Sequence, residues 1–325
     1  MTQIKINAVQ IYHPSNLVTN DFYVEHFKKK GRNVEKFLTD VLGRNERYIV
    51  SEDENTLTMG IEAAKRALAA ADLTGKDIDL IVFATQVPEY NMPTNAMFVH
   101  AAIGSNERTL VLDLNANCAG MTVAVEVACR YMQANPRVNR ALVVGADANS
   151  LIYNPEQEIT YGNLADSGAA VILEKTEENT GFIDALYSVD SSYRENFNYP
   201  QKGFSKTIGK QDHILFTPFD TTANLIDAIK TIDELLETNG LTINDVDAFC
   251  LSQFALSNVD KLQEHYLIEK EKIVFVGHKY GYTASNSPLM CLYEGVETGR
   301  IKRGDTVLFW TIGAGHEMVA MLFKY

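Results

Sequence analysis

Cys118 stands in Asn117-Cys118-Ala119-Gly120, between an apolar run, Leu110 to Leu114, and a long segment, Met121 to Met132, that is too apolar on all sides to face water. That pattern predicts a buried strand, a tight turn and a buried helix. A thiol at the mouth of a helix meets unpaired backbone N–H groups and the positive end of the macrodipole. Both favour the thiolate, so the chemistry expected of Cys118 is nucleophilic attack. Ala119 and Gly120 carry no side chain that would block the sulfur. The residues themselves leave two readings open, a nucleophile or a buried structural cysteine, because free Cys is among the most buried residue types.

The elements that must hold this turn are read from the rest of the chain. With 325 residues, 46% of them apolar and 22% charged, there is material for two α/β units of ordinary size. A formal charge of −13, from 29 basic and 42 acidic residues, argues against nucleic acid and anionic membrane as partners. The four cysteines (118, 129, 250, 291) show no CxxC or Cys/His spacing, so reduced thiols, no disulfide framework and no metal site are expected. Without a long apolar run or a signal-peptide pattern at Met-Thr-Gln-Ile-Lys-Ile, the expected location is the cytoplasm.

Taken in order, residues 2–12 alternate as a strand, residues 20–42 read as one helix stopped by Gly43, Thr56 to Ala71 is an amphipathic helix, and Leu80 to Thr85 is a buried strand. The same grammar returns at Asn224 to Thr238 and Ala248 to Leu251. An offset of 168 (245 − 77) sets Asp77 on Asp245, Leu73 on Leu241 and Gly145-Ala146 on Gly313-Ala314. This is read as an internal duplication, with a boundary at residues 174–180 that divides the chain into 1–174 and 175–325. Each half should form a helix-covered sheet. The offset places Asn286 opposite Cys118, with Asn286 read as a helix cap, and it brings the two central helices together at the interface, where pockets tend to form.

The duplicated halves, the Asn-Cys-Ala-Gly turn and the closing Ile312-Gly-Ala-Gly315 resemble the thiolase-fold ketosynthases, specifically ketoacyl-acyl-carrier-protein synthase III. Leu42-Gly-Arg-Asn-Glu-Arg47, Ala84-Thr-Gln, Met92-Pro-Thr, Asp166-Ser-Gly-Ala-Ala-Val and Gly299-Arg-Ile-Lys-Arg-Gly-Asp305 support the likeness nearly end to end. The resemblance implies an α/β thiolase-like fold, two halves packed as a five-layered αβαβα sandwich. It also implies an acyl-enzyme on Cys118, made from an acyl-coenzyme A or acyl-carrier thioester with no other cofactor, and an oxyanion held by the backbone N–H groups of Cys118 and Ala314. A homodimer is implied through Pro88 to Phe98, with Tyr90, Met92, Met97 and Phe98 reaching across the two-fold axis. Acyl carrier protein and a paralogous ketosynthase are the further partners implied.

Two departures from the family's motifs alter the expected chemistry. Its catalytic histidine and asparagine stand here as Ser252, in Ser252-Gln-Phe-Ala255, and Tyr282, in Gly281-Tyr-Thr283. A serine is no acid or base at neutral pH and a phenol does not reproduce an amide, so ordinary decarboxylative condensation is not expected. Tyr282 is read either as a donor to a substrate carbonyl or as a space-filler. His278 and His316 are read either as compensating groups or as packed or surface histidines. At the entrance, Phe37 keeps an aromatic surface for an adenine, whereas Asp40 and Glu158 stand where arginines grip phosphate, and Ser257 stands where an arginine docks the carrier. Lys202, Lys206 and Lys210 form either a replacement patch or a solvated loop. The function read from all this is an acyltransferase that loads Cys118 and serves a nucleophile needing little activation, or an already acidic carbon acid. The alternatives are a catalytically impaired partner subunit of an active paralogue and a thioesterase-like hydrolase.

Overall fold

Successive residues of Leu80–Ala84, and of 141–146 within the strand Arg140–Ala148, are apolar and buried on both faces, which requires a covering layer on either side of the sheet they form. The computed structural model describes residues 2–219 and 222–325 and supplies those layers. The first sheet runs in the order Gln3–Tyr12, Asp166–Thr176, Arg140–Ala148, Leu80–Ala84, Leu110–Leu114. Its last three strands are parallel and its first two join antiparallel. Ile81, Phe83, Leu142 and Val144 point to an outer layer made by the helices Thr56–Ala70 and Asn95–Ile103. Leu80, Val82, Ala84 and Val143 point the other way, into a central layer made by the helices Gly120–Ala134 and Ser287–Glu297.

A second sheet closes the other side of that central layer, in the order Ala248–Leu251, Thr306–Gly313, Glu317–Lys324, Gly181–Val189. Ala248, Cys250, Val307 and Phe309 face the central helices, while Phe249, Leu251, Leu308 and Trp310 face the helices Thr222–Thr238 and Leu256–Tyr266. The result is the five-layered αβαβα sandwich. Strand order repeats between the sheets, except that among the described residues the second has no full fifth strand and keeps a single parallel bridge from Phe249 to Ile273. The repeat extends to local chemistry: Thr74 with Asp77 and Thr242 with Asp245 build the same capping box ahead of equivalent strands.

Two expectations are corrected. Residues 20–42 are not one helix: Asn20–Lys28 is closed by Lys29 at its C-cap, Gly31 follows at φ +74°, and Phe37–Val41 forms a separate wide turn. Left-handed backbone at Gly31 cannot continue a helix, and the apolar spacing of Phe27 and Val34 serves a common buried cluster with Leu38 from two elements instead of one. The duplication also shifts by one residue at the site. Asn117 (φ +51°) matches Ala284 (φ +49°), and the helices start at Gly120 and Ser287, so Cys118 lies opposite Ser285 and not Asn286. The Asn286 side chain does not cap its helix. Its Nδ2 donates to the backbone oxygen and the hydroxyl of Ser167, each at 3.0 Å, across the interface between the halves.

That interface tolerates no added volume at Gly145. A Cβ there would lie 2.2 Å from Asn286 Oδ1 and 2.7 Å from Met121 Sδ, so Gly145→Ala must displace one of them. The substitution should cost about 2–3 kcal/mol, at the upper end of ordinary overpacking, read as a lowered midpoint in chemical denaturation.

Candidate active site

The Cys118 turn is fixed from three directions. Asn117 adopts left-handed backbone, its N–H donating to Asn115 Oδ1 at 2.9 Å. The Cys118 carbonyl accepts from Thr311 Oγ1 at 3.2 Å, and Asn117 Nδ2 reaches the Ala314 carbonyl at 3.4 Å. These contacts tie the nucleophile turn of the first half to the Gly313-Ala314-Gly315 turn of the second. The backbone N–H groups of Cys118 and Ala314 both act on the sulfur. Two convergent N–H donors beside a thiol are the arrangement that holds a tetrahedral oxyanion.

The sulfur opens on a cavity of about 330 Å³, which Cys118, Phe37, Phe197, Phe254, Ala314 and His316 help to line. On its inner side the thiol donates to Gln86 Oε1 at 3.7 Å, and Gln86 Nε2 donates in turn to Asn149 Oδ1 at 2.9 Å. Beneath Gln86 the wholly buried Asp147 accepts from the Thr85 hydroxyl, the Gln86 N–H and the Ser285 hydroxyl. Burial holds Asp147 up at about 6, against those hydrogen bonds.

The expected thiolate is not what this setting favours. Burial pushes the Cys118 thiol up to about 11, and the Tyr282 hydroxyl and the two backbone N–H groups only partly offset that. A helix mouth lowers a thiol's pKa where water also reaches it. Cys118 is only 7% exposed, and desolvation outweighs the dipole.

Ser252 and Tyr282 do come together at the sulfur, Tyr282 interacting with both Cys118 and Ser252. Ser252 ends the Ala248–Leu251 strand, its N–H donating to the Trp310 carbonyl at 2.8 Å. Tyr282 is held by its backbone, donating to Asn163 O and accepting from Ala165 N, each at 2.9 Å. Its ring meets Phe254 edge-on at 5.2 Å. Neither hydroxyl meets the geometry of a full hydrogen bond, so Tyr282 beside the sulfur and Ser252 behind it are enclosed and only weakly satisfied. The neighbouring Gln253 is structural: its Oε1 accepts from Val276 N at 2.7 Å and Gly277 N at 3.0 Å. Arg44, fully buried and lowered to about 9 by burial, donates to the Gln253 and Phe254 carbonyls and fixes the loop behind them.

His278 is not brought to the site. It stacks on Phe275 with ring centroids 6.1 Å apart and lines a different cavity with Thr39 and Arg300, because the short helix Gly277–Tyr280 points it away from Cys118. Phe37 and Ser257 line the Cys118 cavity, and Lys261 joins them. Glu158 is paired with Arg32 at 2.8 Å, and Asp40 accepts from Thr39. Sequence reasoning missed Gln86 as the sulfur's partner and left His316 open between a compensating group and a packed or surface histidine. His316 is buried, bound to Asp227 Oδ2 at 2.8 Å, and lines the same cavity as Cys118.

A duplicated five-layered α/β sandwich with a cysteine between convergent backbone donors at the junction of its halves defines the thiolase-type class. Two family models agree: 3-oxoacyl-[acyl-carrier-protein (ACP)] synthase III over residues 112–191, and the C-terminal part of the same family over residues 236–325. The chain is 29% identical over its whole length to the beta-ketoacyl-[acyl-carrier-protein] synthase III of Neisseria meningitidis serogroup A, all of which it covers. It is 29% identical over 99% of its length to that of Xanthomonas campestris pv. campestris, covering 98% of that protein. The crystal structure of 3-oxoacyl-[acyl-carrier-protein] synthase III from Aquifex aeolicus VF5 superposes with a TM-score of 0.89 at 25% identity, each chain covered completely. The chain belongs to the 3-oxoacyl-[acyl-carrier-protein] synthase III family, a family of condensing acyltransferases.

Proposed function

We propose that this chain is an acyltransferase that takes an acyl group from a coenzyme A or carrier-protein thioester onto Cys118 and passes it to an acceptor, in fatty acid metabolism or a specialised branch of it in the cytoplasm. The observation that carries this reading is the sulfur's position, open to an apolar cavity of about 330 Å³ and under the N–H groups of Cys118 and Ala314. Cys118 attacks the thioester carbonyl, the two N–H groups hold the oxyanion, the donor's C–S bond breaks on collapse, and the proton given up by Cys118 leaves on the donor thiol. Tyr282 stands beside the sulfur as a hydrogen-bond donor to the bound acyl group, with Ser252 behind it. Phe37 offers a stacking face to the donor's adenine. Lys261 is the cation on the cavity wall, supplemented by Lys202, Lys206 and Lys210 for an acidic carrier.

The test is to incubate the protein with acyl-coenzyme A and acyl-carrier thioesters of two to twelve carbons and weigh it intact. One acyl adduct is expected, absent from Cys118→Ala. No adduct with any donor would favour the partner-subunit reading, and steady release of free acid without acceptor would favour the hydrolase. The protein is further proposed to be a homodimer. Tyr90, Met97 and the edge-strand residue Leu110 are each at least 40% exposed and Met92 is 87% exposed, an apolar face beside an unpaired sheet edge. Sedimentation at micromolar concentration should give twice the chain mass, and a monomer would refute it.

A further inference from the structure

His316 is the one histidine that lines the Cys118 cavity among the described residues. It lies two residues beyond Ala314, whose N–H acts on the sulfur, so the chain places it within about 7 Å of the oxyanion turn. Its ring is held on two sides. Nε2 pairs with Asp227 Oδ2 at 2.8 Å, and Tyr193 stacks on the ring at 5.1 Å with 19° between the planes. The backbone is in the left-handed region at φ +61°, uncommon for a residue with a side chain, though histidine is among those that enter it. Side-chain exposure is 1%, and Nδ1 has no partner.

A neutral imidazole that donates from Nε2 to a carboxylate carries its lone pair on Nδ1. Here that lone pair is enclosed and unsatisfied, on a residue that lines the cavity where the acyl-enzyme would meet its acceptor. An enclosed acceptor atom left unpaired is costly, and it is the group a bound O–H or N–H would satisfy. Asp227 keeps the ring in that tautomer and stabilises the imidazolium once a proton arrives. Ser252 and Tyr282 cannot take this part at neutral pH, the one because a hydroxyl is not a base and the other because burial holds its proton firmly.

Building on the acyl-enzyme reading above, we infer that His316, oriented by Asp227, is the general base that activates the acceptor, and that the acceptor is an alcohol or an amine. The acceptor heteroatom attacks the thioester carbonyl carbon while its proton moves to Nδ1. The oxyanion forms under the N–H groups of Cys118 and Ala314 and collapses. The C–S bond breaks with its electron pair on Sγ, and the proton held on His316 returns to the sulfur. Acyl-S-Cys118 plus acceptor-H gives acyl-acceptor plus the free thiol, with no other reactant.

The experiment separates loading from discharge. Wild type, His316→Asn and Asp227→Asn are each loaded with octanoyl-coenzyme A, freed of excess donor, and followed by intact mass as the octanoyl group leaves to 1-butanol. Asparagine tolerates left-handed backbone, which keeps the turn at residue 316. All three proteins should load. Discharge should slow about 10²-fold in His316→Asn, the lower end of general-base contributions, and about tenfold in Asp227→Asn. Loading with unchanged discharge in both variants overturns this inference alone. Failure of wild type to load overturns the acyl-enzyme reading and this inference with it.

Discussion

Alkylation of Cys118 by iodoacetamide should accelerate about tenfold per pH unit from pH 7 to 10, close to a thousandfold in all, and level off only near the thiol's own value of about 11. The rate follows the thiolate fraction, which with a value of about 11 is only about one part in 10⁴ at pH 7. A thiolate held at the helix mouth would give the opposite curve, already flat at neutral pH. Their difference turns on one magnitude: whether the partial charge of a helix terminus exceeds the cost of stripping water from a sulfur that is 7% exposed. The other cysteines, each 0% exposed and away from the cavity, should stay unmodified and serve as internal controls. The sign also fixes a stability effect. The folded thiol holds its proton more tightly than the unfolded one, so its contribution is complete below about 9 and is lost as pH rises through about 11, a loss Cys118→Ala should not show. A rate already maximal at pH 7 would restore the helix-mouth thiolate.

The fold was legible because it is written twice. The Thr74–Asp77 and Thr242–Asp245 boxes, the buried strands that follow them and the Gly145 and Gly313 strand ends repeat at nearly constant spacing, and local chemistry of this kind needs no tertiary context. The sequence failed where tertiary packing decides. Apolar residues at helical spacing in 20–42 could not reveal that Gly31 breaks the chain, because a glycine is permitted both inside a helix and after one. At the site, the motif positions identified Cys118, Ala314, Ser252 and Tyr282 as neighbours, since each lies at the end of a strand or on a turn aimed at the junction. His278 and His316 were indistinguishable by type. What separates them is that a four-residue helix turns one away while an aspartate 89 residues earlier reaches the other, a pairing no local pattern encodes. Desolvation was equally hidden, because it is a property of everything packed around the sulfur.

The wild-type protein should release no carbon dioxide from a malonyl thioester above background, whereas Ser252→His with Tyr282→Asn should raise that release by about 10²-fold, the scale of a single oxyanion donor gained. Decarboxylation leaves an enolate whose oxygen needs strong donors placed before the charge develops. The Tyr282 hydroxyl is one donor on a rigid ring, edge-on to Phe254 and fixed by the backbone at Asn163 and Ala165, so it cannot move to a second position. The Ser252 hydroxyl, on a strand end tied to Trp310, is too short to reach past it. Shortening Tyr282 to asparagine vacates a ring's volume beside the sulfur, and histidine at 252 fills part of it with a longer donor. The double variant should therefore lose stability, by about 3 kcal/mol for an aromatic ring removed from a buried cluster, while gaining the reaction. Single substitutions should gain much less, because histidine at 252 without the shorter residue at 282 has no room, and asparagine at 282 alone leaves one donor facing a void. Measurable decarboxylation by the unaltered chain would show that a phenol and a serine suffice for the enolate, and would make loss of condensing chemistry the wrong reading of these two positions.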